Sequence, residues 1–129
     1  MFRSKLSWSG IELIVALMLA GLVVPARSEN AAWTGNAMLG PCKNAAERPS
    51  KTNATDGLAG ICTGAISTLL DLHEFFDGEF SFCPPNNATA EQATRVVVKY
   101  LELTPELLDR DLRLLAIVAM RTAWPCKPK

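Results

Sequence analysis

The chain has 129 residues, with 13 Lys and Arg against 13 Asp and Glu, 49% hydrophobic and 20% charged residues. That is polypeptide for one domain, too apolar to be disordered throughout. It lacks the basic excess that a protein held on nucleic acid by phosphate neutralisation requires, and its single His excludes any site built on two imidazoles.

Arg3 and Lys5 give a positive start, and Leu13 to Val24 is an unbroken apolar run of twelve residues. Pro25-Ala26-Arg27-Ser28 follows, and Ala26-x-Ser28 satisfies the small-x-small rule of signal peptidase. The expectation is a secretory signal peptide over residues 1–28, cleaved after Ser28. An uncleaved membrane anchor is the alternative. Twelve helical residues rise only about 18 Å against a hydrocarbon core of about 30 Å, which disfavours it. The mature chain is then 29–129, exported to the periplasm.

Glu29 to Trp33 reads as a lead-in. Thr34 to Leu39 predicts a short helix ended by Gly40-Pro41, and the polar stretch from Lys43 to Thr55 reads as a loop. A longer helix is predicted from about Asp56 to Phe76. Its apolar positions Leu58, Cys62, Ala65, Leu69, Leu72 and Phe76 are three or four apart. Gly57, Gly60 and Gly64 each cost this helix about 1 kcal/mol relative to Ala. The return expected for that cost is close approach of a second backbone, either a tight crossing within the chain or a helix–helix dimer.

Asp77-Gly78-Glu79 should break that helix, with a loop over Phe80 to Asn87. Thr89-x-x-Gln92 matches a capping box opening the next helix, whose buried stripe is Ala93, Val96, Val97, Tyr100 and Leu101. Thr104 is expected to cap a further turn opened by Pro105. After a bend at Asp109 to Asp111, Leu112, Leu115, Ala116, Ala119 and Ala123 define the last apolar face. Trp124-Pro125 stops it. No segment alternates with period two, so the fold class is all-α: a small disulfide-linked bundle of about four helices after the signal peptide.

All four cysteines, Cys42, Cys62, Cys83 and Cys126, lie in the exported part. An even number in a small secreted domain implies a disulfide framework rather than a metal site, and no Cys-x-x-Cys spacing occurs. Cys83 lies just before one predicted helix and Cys126 just after the next, so antiparallel packing puts both at one end. Cys42 and Cys62 bracket the polar loop in the same way. The predicted pairing is Cys42–Cys62 and Cys83–Cys126.

Catalytic groups are sparse. His73 is the only imidazole, and Cys62 lies eleven residues earlier on the same predicted helix, about 16 Å along its axis. Asp71 and Glu74 share a helical surface but read most simply as a solvated face. Ser67 and Thr68 lack a nucleophile elbow. No catalytic residue, metal site or cofactor is expected.

Charge is more informative. From Thr52 to Thr94 there is no Lys or Arg, and that stretch carries −6, whereas the whole exported part carries −2. Its acidic residues Asp71, Glu74, Asp77 and Glu79 are interleaved with Phe75, Phe76, Phe80 and Phe82. Phenyl rings left exposed beside carboxylates suit a basic protein partner, since aromatics anchor and charge steers. Asp77, Glu79 and Phe80 are the partner-binding candidates, chosen on charge and loop position.

Several segments together resemble one family. They are Thr34-Gly35-Asn36-Ala37-Met38-Leu39 with Cys42; Gly60-Ile61-Cys62-Thr63-Gly64-Ala65-Ile66; Phe82-Cys83-Pro84-Pro85; Val96-Val97-Val98-Lys99-Tyr100-Leu101; and Ala123-Trp124-Pro125-Cys126. In order and spacing the chain resembles the Rap/Tai family of immunity proteins for type VI secretion amidase effectors. Ile61 stands where that family often has Tyr. The resemblance implies a periplasmic all-helical protein, often a homodimer, that binds and occludes a peptidoglycan amidase effector. A periplasmic envelope or stress-response helical protein without a toxin partner is the alternative, and a hydrolase built on His73 is a third.

Overall fold

The structure, a computed structural model, describes residues 29–47 and 57–127. The expected signal peptide and most of the expected polar loop therefore lie outside the described residues. Those described form four α-helices: α1 (Gly35–Glu47), α2 (Gly57–Asp71), α3 (Ala90–Leu103) and α4 (Leu112–Ala123). Helix α3 is central and packs against the other three. Among the described residues no helix is long and apolar enough to cross a membrane.

Helix α1 corrects the expectation of a short helix ended by Gly40-Pro41. It runs through both residues to Glu47, so Lys43 to Glu47 is helical rather than loop. Pro41 removes one backbone donor, a loss of about 3 kcal/mol in a helix interior. Two features offset it. Gly40 has no Cβ to meet the proline ring, which removes part of the usual clash with the preceding residue. The buried line Met38, Cys42 and Ala45 continues beyond the proline, and Cys42 is bonded to Cys62 of α2 at 5.4 Å between Cα atoms.

The start of α1 is held by Thr34, whose Oγ1 accepts from the Ala37 N–H at 3.3 Å. Gly35 and Asn36 donate their backbone N–H groups to Arg110 and Leu108 at 3.0 and 2.8 Å. At Gly35 the approach is close enough that a side chain would have to displace its neighbours. A Cβ there would lie 2.9 Å from side-chain carbons of both Leu108 and Leu115, and 3.1 Å from the Leu108 Cα. Gly35→Ala should therefore cost about 1–3 kcal/mol through overpacking, measured as a lowered urea midpoint. A gain in stability would show that this contact is loose.

Helix α2 is rotated and shortened relative to expectation. Its buried residues are Ala59, Cys62 and Ile66, with Leu69 and Leu70 partly buried. Leu58 and Leu72, expected inside, are exposed. The helix stops at Asp71 rather than near Phe76. Among the described residues no close crossing accompanies the glycines either: a Cβ at Gly57, Gly60 or Gly64 would meet nothing within 4 Å.

Helix α3 begins as expected, with Thr89 Oγ1 accepting from the Gln92 N–H at 3.2 Å. Thr94 and Val98 join Ala93, Val97 and Leu101 in the core, while Val96 and Tyr100 are only partly buried. Buried Thr94 is satisfied by donating to the Ala90 carbonyl at 2.8 Å. Thr104 does not cap the following turn. Its hydroxyl turns back and donates to the Tyr100 carbonyl at 2.8 Å, so it closes α3. Pro105 does open a short 3-10 turn, Pro105–Leu107.

The bend at Asp109 to Asp111 is present, and Asp111 caps α4 by accepting from the Arg113 N–H at 2.8 Å. The Arg113 guanidinium bonds the same carboxylate at 2.6 Å and holds the Asp111 carboxyl below the usual aspartate range. Arg113 also stacks over Trp33, 5.4 Å from the ring centre, which fastens the lead-in to α4. Ile117 and Met120 join the expected buried face of α4, whereas Ala123 is exposed. The second predicted bridge, Cys83–Cys126, is also present.

Candidate partner-binding surface

The acidic, phenyl-rich segment forms an ordered double turn between α2 and α3. After the last α-type bond, Leu72 N–H to the Thr68 carbonyl at 3.0 Å, the backbone tightens into a 3-10 turn, His73–Phe75. Phe76 and Asp77 are extended, and a second 3-10 turn follows over Gly78–Phe80. Gly78 has φ +60°, a left-handed conformation that costs glycine little and most other residues more.

The inward side of the segment is apolar. Phe82 is 1% exposed, its ring centre 6.1 Å from that of Phe76 and 5.9 Å from that of His73. His73 Nδ1 lies 2.7 Å from the Leu70 carbonyl. That oxygen can only accept, so Nδ1 carries the proton. Three ties fix the segment to the end of α4. The Cys83 N–H donates to the Trp124 carbonyl at 2.9 Å, the Cys83–Cys126 bridge spans 4.9 Å between Cα atoms, and Arg121 donates to the Glu79 carbonyl.

The outward side carries the chemistry. Phe75 is 78% exposed and Phe80 45%. Asp71, Glu74, Asp77 and Glu79 are all exposed around them. Among the described residues none of the four carboxylates is ion-paired; the pairs present are Lys43–Glu102, Asp109–Arg110 and Asp111–Arg113. Arg121 meets a backbone oxygen of Glu79, not its carboxylate.

The structure thus brings Asp77, Glu79 and Phe80 together on one exposed turn. Of the four phenylalanines, Phe82 is buried, Phe76 partly buried, and Phe75 and Phe80 exposed. Phe75 is the more exposed of the two candidate anchors. Its place outside the core follows from the early end of α2, which periodicity did not show. Arg121 also escaped the sequence reading, since nothing local marks a contact across 42 residues.

His73 lines a cleft of about 410 Å³ with Leu70, Asp71, Glu74, Pro84, Pro85, Asn86 and Ala88. That lining offers an imidazole and carboxylates but no serine, threonine or cysteine. All four cysteines are paired. Among the described residues no group of three or more His, Cys, Asp or Glu side chains could hold a metal ion.

Comparison with curated proteins and with solved structures gives no match. The family model for Rap1a immunity proteins matches residues 34–126. That span takes in all four helices, both bridges and the acidic double turn. The chain belongs to the Rap1a immunity protein family.

Proposed function

We propose that the protein is exported, loses residues 1–28 by cleavage after Ser28, and acts in the periplasm. There it binds and occludes a peptidoglycan amidase effector of type VI secretion. Family membership supports an immunity role. The observation that carries the partner surface is the ordered turn bearing Asp77, Glu79, Phe75 and Phe80, exposed and, among the described residues, with its carboxylates in no ion pair. Carboxylates steer a basic cleft to this turn, and the two phenyl rings supply the desolvated contact that holds it. Inhibition on this reading is occlusion, with no bond made or broken. The reading includes pairing with a second copy.

The test begins with the tagged exported protein recovered from periplasm. A peptidoglycan amidase should be retained on it and identified by mass spectrometry. Titration of that amidase should then show that Asp77→Lys combined with Glu79→Lys weakens binding at least tenfold, about 1.4 kcal/mol. Unchanged affinity would remove the turn from the interface. Absence of any retained amidase, together with no protection of cells in competition, would favour an envelope protein without a toxin partner.

A further inference from the structure

We propose that the Cys83–Cys126 bridge is a thiol–disulfide exchange site that takes a dithiol, and that opening it frees the acidic double turn from the end of α4. The inference stands apart from the partner assigned to that turn. It starts from a difference between the two bridges. Cys42 and Cys62 are each 0% exposed and belong to the core cluster, so a thiolate reaches them only when the helices part. Cys83 is exposed and Cys126 half-buried. Both line a surface cleft of about 670 Å³ with Asp77, Gly78, Ser81 and Lys127. Exchange depends on access of the attacking sulfur to the bridge. Of the two bridges, this one has it.

Cys83 is the more exposed of the two and the point of attack. The incoming thiolate gives its electron pair to Cys83 Sγ, the Sγ–Sγ bond breaks, and its electrons leave on Cys126 Sγ, which takes a proton from water. Lys127 follows Cys126 in sequence and lines the same cleft, and its ammonium eases departure of that thiolate. Asp77 on the same cleft repels an anionic attacker. A monothiol stops at the mixed disulfide. The Cys83 N–H is still held by the Trp124 carbonyl at 2.9 Å, and the two Cα atoms stand 4.9 Å apart, so Cys126 recaptures Cys83 and re-forms the bridge. A dithiol escapes recapture. Its second sulfur attacks its first, closes the reagent's own disulfide and releases Cys83 as a thiol. In balance the dithiol gives two electrons and two protons to the cysteine pair.

Opening removes the covalent cross-link between the double turn and the end of α4. The Cys83–Trp124 backbone bond and the Arg121–Glu79 contact remain. Both donors belong to exposed residues, where water competes for them. Phe82 stays buried, and Cys42–Cys62 still joins α1 to α2. The loosening is therefore confined to the junction that carries Asp77, Glu79 and Phe80.

The test treats the protein, both bridges formed, with dithiothreitol or with mercaptoethanol at equal thiol concentration and without denaturant. Free thiols are trapped with iodoacetamide and located by peptide mass mapping. Dithiothreitol should open Cys83–Cys126 roughly a hundredfold faster than Cys42–Cys62, at a rate unchanged by low urea. Mercaptoethanol should give little net opening, with its adduct on Cys83. In amide NMR spectra of protein reduced only at Cys83 and Cys126, signals from Gly78 to Cys83 and from Trp124, Cys126 and Lys127 should move while those of α1 and α2 hold. Equal rates for the two bridges, or a rate that climbs steeply with urea, would mean that Cys83–Cys126 opens only with the whole fold, and would sink the site. A monothiol as effective as the dithiol, or an adduct on Cys126, would overturn the chemistry assigned. Signals of the turn left in place after selective reduction, or loss of signals from every helix, would overturn the local release.

Discussion

Replacing Cys83 and Cys126 together by Ala should lower the free energy of unfolding by about 4 kcal/mol, through release of a long loop in the unfolded chain. The two residues are 43 apart in sequence, against 20 for Cys42 and Cys62, so loop closure alone makes the removed bridge slightly the stronger. For a domain of this size that is a large share of total stability. The native state loses something as well. Cys83 is exposed and Cys126 half-buried, and together they fasten the acidic double turn to the end of α4. Without the bridge, the Cys83–Trp124 backbone bond and the Arg121–Glu79 contact hold that junction alone. Urea unfolding of residues 29–129 with and without the bridge measures the effect. A loss below about 1 kcal/mol would mean that the unfolded chain is already constrained there.

Phe82→Ala should cost about 3–5 kcal/mol, in the range for truncating a buried aromatic side chain. Phe82 is among the largest fully buried side chains. Its ring is flanked by Phe76 and His73, and its backbone immediately precedes the bridge. Removing the ring leaves a cavity under the acidic turn, and Phe76 loses its inner neighbour. Because Phe82 and Cys83 are adjacent, the two effects should not add. The triple variant should lose measurably less than the sum of the separate losses. Full additivity would show that ring and bridge stabilise independent parts of the fold.

These expectations connect stability to the proposed surface. The charged, exposed side chains of the turn have no described ion pairs, so their substitution should affect the partner far more than the fold. Phe82, Cys83 and Cys126 lie behind them, and their loss should affect the fold first and the partner through it. Comparing Asp77→Lys/Glu79→Lys with Phe82→Ala separates the two roles.

Much of the architecture was legible in local sequence. Thr89-x-x-Gln92 starts α3 where the capping pattern places it, because a hydroxyl and a backbone N–H three residues on need no other element to meet. Asp111 and Trp124-Pro125 bound α4 for equally local reasons. The bridges followed from where the cysteines stand relative to helix ends. The candidate turn was legible as charge and aromatics, since both are properties of a contiguous stretch. Helix α1 defeated the local rule. Gly40-Pro41 ordinarily ends a helix, but here the buried line through Cys42 and Ala45 and the bond to Cys62 outweigh the missing donor.

Composition and short-range spacing thus determined the helical class, the disulfide framework, the pairing of the bridges and the acidic character of the turn. Which side of α2 faces inward was decided only by the tertiary structure. Leu58, Cys62, Ala65, Leu69 and Leu72 form as good a stripe on paper as Ala59, Cys62, Ile66 and Leu70. Cys62 belongs to both, and a helix with apolar residues all round has no internal preference. The choice came from the positions of α1 and α3 against it, elements outside the helix itself. The same packing ended α2 at Asp71, turned Phe75 to solvent, and left three glycines facing no neighbour among the described residues.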